Sequence, residues 1–202
     1  YLVINPDGHK STIRALVIDE NGNIITSGSD KSIKVWDKDR GEIIKEFRGQ
    51  IGPGSEGMIY AMDLSPDQKY LAVGGWFGLD DESERLGDIR IYNYETGKLF
   101  KLLTRIHKNT IKALKFTKDS KYLIAGDADG NLVKWDYFSK IPTVYETISV
   151  EEVSNIAMGE DFFISTYGDG LIYKWSVDKL KPLKKIDTFK KKWKDTNVKS
   201  FA

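Results

Sequence analysis

One short segment limits what this chain can fold into. Residues 24–37 read IITSGSDKSIKVWD. Ile24, Ile25 and Thr26 favour strand, as do Ile33, Val35 and Trp36, and the residues from Gly28 to Ser32 favour a turn with Asp30 at its tip. That is two strands joined by a tight turn, and the unit recurs. Residues 123–136 read LIAGDADGNLVKWD, and residues 163–176 read FISTYGDGLIYKWS. A weaker copy from Tyr70 to Asn93 is interrupted at 77–87 and closes on Tyr92-Asn93 in place of Trp-Asp. The closing aromatics Trp36, Tyr92, Trp135 and Trp175 follow one another at steps of 56, 43 and 40 residues.

A Gly8-His9 pair precedes the first copy. Gly-His early and Trp-Asp late, at a period of roughly 40–45 residues, marks one four-stranded propeller blade. The chain resembles the WD-repeat family, and the resemblance covers nearly all of it. The expected fold is all-β: a propeller with four complete blades at about 9–48, 55–103, 107–146 and 149–187. Their inner strands begin at Ile13, Ile59, Ile111 and Val153. Leu2–Asn5 reads as the outer strand of a preceding blade. Val198–Ala202 repeats the pattern of Ile13–Leu16 and reads as the inner strand of a following one. WD-repeat rings are usually larger than four blades. The resemblance therefore implies a piece of a larger propeller, within a longer parent chain that has other domains.

The resemblance also implies a buried hydrogen-bonded set in each blade: a histidine, a Ser/Thr, an aspartate and the tryptophan. The chemistry suits that grouping, because an indole N–H only donates, a hydroxyl accepts and passes on, and a carboxylate only accepts. Carried over by position, the first blade holds His9, Thr26, Asp30 and Trp36. The third holds His107, Asp129 and Trp135, with Ala125 where the hydroxyl belongs. The fourth holds Ser165, Asp169 and Trp175, with Ser149 or a neighbour where the histidine belongs. The second holds none intact. Lys134 and Lys174 stand before the tryptophan, where the first blade has Val35.

Composition narrows function. The formal net charge of +1 gives no bulk attraction to nucleic acid or to a membrane surface. There are no cysteines, which rules out thiolate metal sites and disulfides and points to a cytoplasmic setting. Only two histidines are present, and both sit in the bracing positions. No histidine cluster could hold a transition metal, and no cofactor is expected. Asp80, Asp81, Glu82 and Glu84 cluster in the 77–87 insertion, without the alternating Asp/Asn/Gly spacing of a calcium loop. The glycines of residues 48–58 (RGQIGPGSEGM) lack the Lys-Ser/Thr ending of a phosphate loop. Catalysis is not expected.

A non-catalytic scaffold for a protein or peptide partner is. The family resemblance implies it, and a rigid ring with loops on two faces is a usual place for recognition. In WD-repeat propellers the residue after the first apolar position of each inner strand often faces the mouth of the central channel. Here those residues are Arg14, Tyr60, Lys112, Ser154 and Lys199. Three are cationic, so an acidic or phosphorylated peptide is the expected ligand class. Phrases such as GHKSTIRAL and IGPGSEGMIYAMDLSPD are also similar to WD-repeat regions of large bacterial proteins joined to caspase-like effector domains. That similarity implies a sensor or regulatory role as an alternative.

Overall fold

Each repeat folds into its own four-stranded antiparallel sheet, and the strands within each sheet follow chain order. The computed structural model describes residues 8–49, 52–77, 87–145 and 149–188. The first blade contains β1 (Ile13–Ile18), β2 (Ile24–Gly28), β3 (Ser32–Trp36) and β4 (Ile43–Arg48). The second contains β5 (Ile59–Leu64), β6 (Tyr70–Gly75), β7 (Ile89–Asn93) and β8 (Leu99–Leu103). The third contains β9 (Ile111–Phe116), β10 (Tyr122–Asp127), β11 (Leu132–Asp136) and β12 (Ile141–Tyr145). The fourth contains β13 (Val153–Met158), β14 (Phe162–Tyr167), β15 (Leu171–Ser176) and β16 (Lys181–Asp187). The expected flanking strands at Leu2–Asn5 and Val198–Ala202 lie outside the described residues, as does most of the 77–87 insertion.

The turns explain the hairpins. In the third and fourth blades the second-to-third-strand turn places Gly130 at φ 81° and Gly170 at φ 76°. This left-handed region costs a side-chain-bearing residue and suits glycine. The first blade puts Lys31 there, at φ 65°.

A single sheet cannot bury its own faces, so the core forms between neighbouring sheets. Ile25 and Ile33 of the first blade pack with Ile59 and Met62 of the second. Ala72 and Ile89 of the second pack with Ile111 and Leu114 of the third. Ile124 and Leu132 of the third pack with Val153 and Ile156 of the fourth. The inner strands β1, β5, β9 and β13 therefore stand side by side in sequence, each against the next. No comparable packing joins β13 back to β1 among the described residues. The approach is close: a Cβ on Gly74 would lie 2.6 Å from the Ile111 side chain, and one on Gly126 would lie 2.4 Å from Val153.

Polar ties reinforce the blade joints. The Lys115 ammonium of β9 lies 2.6 Å from the buried carboxylate of Asp63 on β5, and the Phe116 amide donates to the same carboxylate at 2.8 Å. Lys134 has its account here: its ammonium crosses to the fourth blade and donates to the carbonyls of Val177 and Asp178 at 2.9 and 2.6 Å.

Candidate functional site

The inner strands pair with their neighbours through an interrupted ladder. In β1 the register passes from Ile13 to Ala15, in β5 from Ile59 to Ala61, in β9 from Ile111 to Ala113 and in β13 from Val153 to Asn155. The residues left out are Arg14, Tyr60, Lys112 and Ser154. A bulge frees one residue from the ladder and re-aims its side chain. One bulge per inner strand thus gives a row of four side chains at the same end of four adjacent inner strands.

Three of the four meet. The Arg14 guanidinium lies 5.0 Å from the centre of the Tyr60 ring, and the Lys112 ammonium lies 5.3 Å from it. Two cations from the first and third blades therefore share the aromatic ring of the blade between them, each within cation–π range. Arg14 Nε donates to the Ser29 hydroxyl at 3.1 Å, which fixes the guanidinium plane. Lys112 also pairs with Glu152 of the fourth blade at 2.9 Å. The Tyr60 hydroxyl points to the Met58 sulfur at 3.7 Å. Ser154 is exposed at the fourth bulge. Lys199 lies outside the described residues. Ser29 was not legible as a member of this row; only the turn geometry brings it there.

The bracing residues form a separate layer. In the first blade the Trp36 indole donates to the Thr26 hydroxyl at 2.6 Å, and His9 Nε2 lies 2.7 Å from the same oxygen. His9 Nδ1 lies 2.8 Å from the Asp30 carboxylate. With Nδ1–H donating to Asp30, Nε2 accepts from Thr26, and the four residues form one directed chain. Burial opposes the charge of Asp30, but hydrogen bonds from the Lys10 amide, His9 and Ser32 outweigh it and hold the carboxyl below its usual range.

The third blade departs from the expected set. His107 Nδ1 pairs at 2.8 Å with Asp127, not with Asp129. Asp127 pairs with Ile111 across the strands, the register position that Gly28 holds opposite Ile13. A carboxylate there reaches the imidazole first, and Asp129 instead accepts from the Asn109 amide at 2.8 Å. Burial works against the Asp127 charge, yet bonds from His107 and Asn131 hold its carboxyl low. Ala125 offers no oxygen, and the buried His107 Nε2 and Trp135 Nε1 have no hydrogen-bond partner. In the fourth blade Trp175 donates to Ser165 at 2.8 Å, and Ser149 donates to Asp169 at 2.7 Å.

Among the described residues no group of histidines, cysteines and carboxylates could hold a metal ion. A cavity of about 300 Å³ opens between the first two blades at the opposite end of the strands, lined by Asp19, Lys45, Gln68 and Tyr94 among others. Its buried carboxylate is already occupied: Asp19 accepts from the amides of Asn21 and Asn23, the Asn23 side chain and the Tyr94 hydroxyl. The bulge row, by contrast, brings two cations from different blades to one aromatic ring.

The family model described as "WD domain, G-beta repeat" matches residues 2–37 and 99–136, which fall in the first blade and across the second-to-third blade region. The chain is 28% identical over 200 residues to COMPASS component SWD3 of Saccharomyces cerevisiae, covering 89% of this chain and 59% of that protein. It is 26% identical over 200 residues to eukaryotic translation initiation factor 3 subunit I of the same species, covering 90% of this chain and 54% of that protein. The chain thus spans little more than half the length of these two relatives. Among solved structures, the computationally designed Ika4 protein superposes with a TM-score of 0.66 at 23% identity, covering 84% of this chain and 94% of that one. That likeness concerns the fold alone.

Proposed function

We propose that this array of WD repeats is a non-catalytic protein-interaction scaffold, and that it takes an acidic or phosphorylated peptide on the bulge row. The two relatives support the scaffold reading by name, one as a component and the other as a subunit of larger assemblies. The observation that carries the site is the convergence of Arg14 and Lys112 on the Tyr60 ring. Cations crowded over one aromatic ring repel each other, and an incoming carboxylate or phosphate between them relieves that repulsion. Lys112 is partly buried, with 29% of its side chain exposed, and that strengthens the attraction. Glu152 offsets part of the charge at Lys112, which leaves Arg14 as the stronger anion contact. The attached-effector alternative draws support from the sequence phrases quoted above and uses the same surface as a sensing face.

The test is fluorescence anisotropy with a labelled Glu-rich peptide and its phosphoserine counterpart, on wild type and on the double variant Arg14→Glu/Lys112→Glu. Wild type should bind with affinity that falls as salt rises, and the variant should lose about tenfold or more. Equal binding by both proteins, or none by wild type, would refute this reading.

A further inference from the structure

One turn breaks a pattern that the other three keep. The residue three places after each closing aromatic lies in the turn between the third and fourth strands, and it is Asp39, Glu95 and Asp178 in the first, second and fourth blades. The third blade has Phe138 there, 48% exposed. A carboxylate suits an exposed turn, whereas a phenyl ring in water carries a hydrophobic cost.

A second ring comes to meet it. The outer strands of the first, second and fourth blades each carry a bulge that leaves Ile44, Phe100 and Leu183 out of the ladder. In the second blade the freed residue is aromatic and 36% exposed. The Phe100 ring centre lies 5.8 Å from that of Phe138 in the next blade, and the Tyr70 ring lies 4.6 Å from the first and 5.6 Å from the second. The buried Tyr137 ring stacks on Phe138 at 4.5 Å, and its hydroxyl donates to the Ser120 carbonyl. Each ring restrains the others, so little entropy is left to lose when a ligand covers them. The patch crosses the joint between the second and third blades, at the end of the strands opposite the bulge row. Both of these blades have a neighbour in place on either side.

The charge around the rings is lopsided. Asp67, Asp119 and Asp136 are the carboxylates of the adjoining turns, and each is engaged within its own turn. Asp67 accepts from the Ser65 hydroxyl and the Lys69 amide, and Asp119 from the Thr117 hydroxyl and the Lys121 amide. Asp136 accepts from the amides of Phe138 and Ser139. The Lys69 and Lys121 ammonium groups lie 3.8 Å from Asp67 and Asp119. Lys98 and Lys101 flank Phe100 closely in sequence, and Lys140 shares the turn of Phe138. The Lys101 ammonium lies 5.6 Å from the centre of the Phe100 ring. Among the described residues none of these last three lysines has a carboxylate partner.

We propose that this patch is a second docking surface, and that it takes an acidic peptide with an aromatic or large apolar residue at its centre. The central side chain covers Phe100 and Phe138, and the flanking carboxylates meet Lys98, Lys101 and Lys140. A second copy of this chain docked by a two-fold contact would bring the same lysines face to face, which opposes self-association. A bilayer surface would gain only about 1 kcal/mol from each lysine, too little for stable attachment with two partly exposed rings.

The experiment is fluorescence anisotropy with labelled Glu-Glu-Trp-Leu-Glu-Glu and with a control in which serines replace Trp and Leu. Both are titrated into Arg14→Glu/Lys112→Glu, which takes the bulge row out of the measurement, so success or failure there leaves this test intact. The apolar-centred peptide should bind, more weakly as salt rises, and the control should bind about tenfold more weakly or less. Adding Phe138→Asp, the residue type that the first and fourth blades carry in this turn, should cost about tenfold or more, and so should adding Lys98→Glu/Lys101→Glu instead. Thermal melts confirm that each variant folds. No binding of the apolar-centred peptide, equal binding of the two peptides, or binding indifferent to both sets of substitutions overturns the proposal. Phe138-dependent sedimentation with phosphatidylserine vesicles, or Phe138-dependent dimerisation in light scattering, without peptide binding overturns it equally and assigns the patch to a membrane or to a second copy.

Discussion

His107 and Trp135 occupy in the third blade the places that His9 and Trp36 occupy in the first, yet no oxygen joins them. His9 and Trp36 share the Thr26 hydroxyl at 2.7 and 2.6 Å. Between His107 and Trp135 stands Ala125, and two buried polar nitrogens are left without a partner. A buried donor with no acceptor costs about 1–3 kcal/mol. The first and third blades therefore have the same architecture with unequal bracing.

Ala125→Ser should raise stability by up to about 1 kcal/mol by giving Trp135 an acceptor and His107 a donor. Urea denaturation of the two proteins side by side measures it. A lower midpoint for the variant would show that the third blade has no room for the oxygen.

In the first blade the same logic runs in reverse. His9→Ala and Asp30→Asn should each lower stability by about 1–3 kcal/mol, because each strands the remaining members of a buried chain. Peptide binding by the folded fraction should be unchanged, since none of the four touches the bulge row. Thermal melts paired with anisotropy check both halves. Unchanged melting with lost binding would move His9 from bracing to recognition.

The legible part of this molecule was the part written in side-chain type and spacing. Strand alternation and Trp-Asp endings located all four sheets, and the inner-strand starts at Ile13, Ile59, Ile111 and Val153 match the structure. The bulges were not legible. They depend on how a backbone passes its neighbour, and nothing in Arg14, Tyr60, Lys112 or Ser154 as residue types announces one. The Asp127–His107 pair was hidden for a related reason. Counting back from the tryptophan gives Asp129, while strand register brings Asp127 within 2.8 Å of the ring. Lys134 broke the alternation within its own blade because its partners, the Val177 and Asp178 carbonyls, belong to the next one.

Gly130→Ala should be strongly destabilising. The residue sits at φ 81°, and a Cβ there would lie 2.1 Å from the Ser149 carbonyl oxygen, which is backbone and cannot step aside. Left-handed strain alone costs about 1 kcal/mol, and the clash adds to it. Gly41→Ala is the control, because it has a similar φ of 67° and nothing within 4 Å of its Cβ. The difference between the two melting shifts isolates the clash. Equal shifts would show that the third and fourth blades can separate at this point without loss.

Asp88 gives the pH dependence of the fold a second component. It immediately precedes β7, is 7% exposed, and one of its carboxylate oxygens has no hydrogen-bond partner. Burial pushes its carboxyl up to about 6, against the pull of the neighbouring Arg90. The folded protein therefore holds this proton more tightly than the unfolded chain does. Stability from this group is fully present below the unfolded value of 3.8 and is lost as pH rises through about 6. Asp30 and Asp127 work the other way. Their lowered carboxyl values contribute stability above pH 3.8 that is lost on further acidification. Asp88→Asn keeps the side-chain shape and removes the charge. It should raise the melting temperature at pH 7, leave it nearly unchanged at pH 4, and flatten the slope between them. Melts at half-unit steps from pH 4 to 8 resolve the difference. A variant that tracks wild type at every pH would mean that the Asp88 carboxylate reaches solvent or a cation and carries no burial cost.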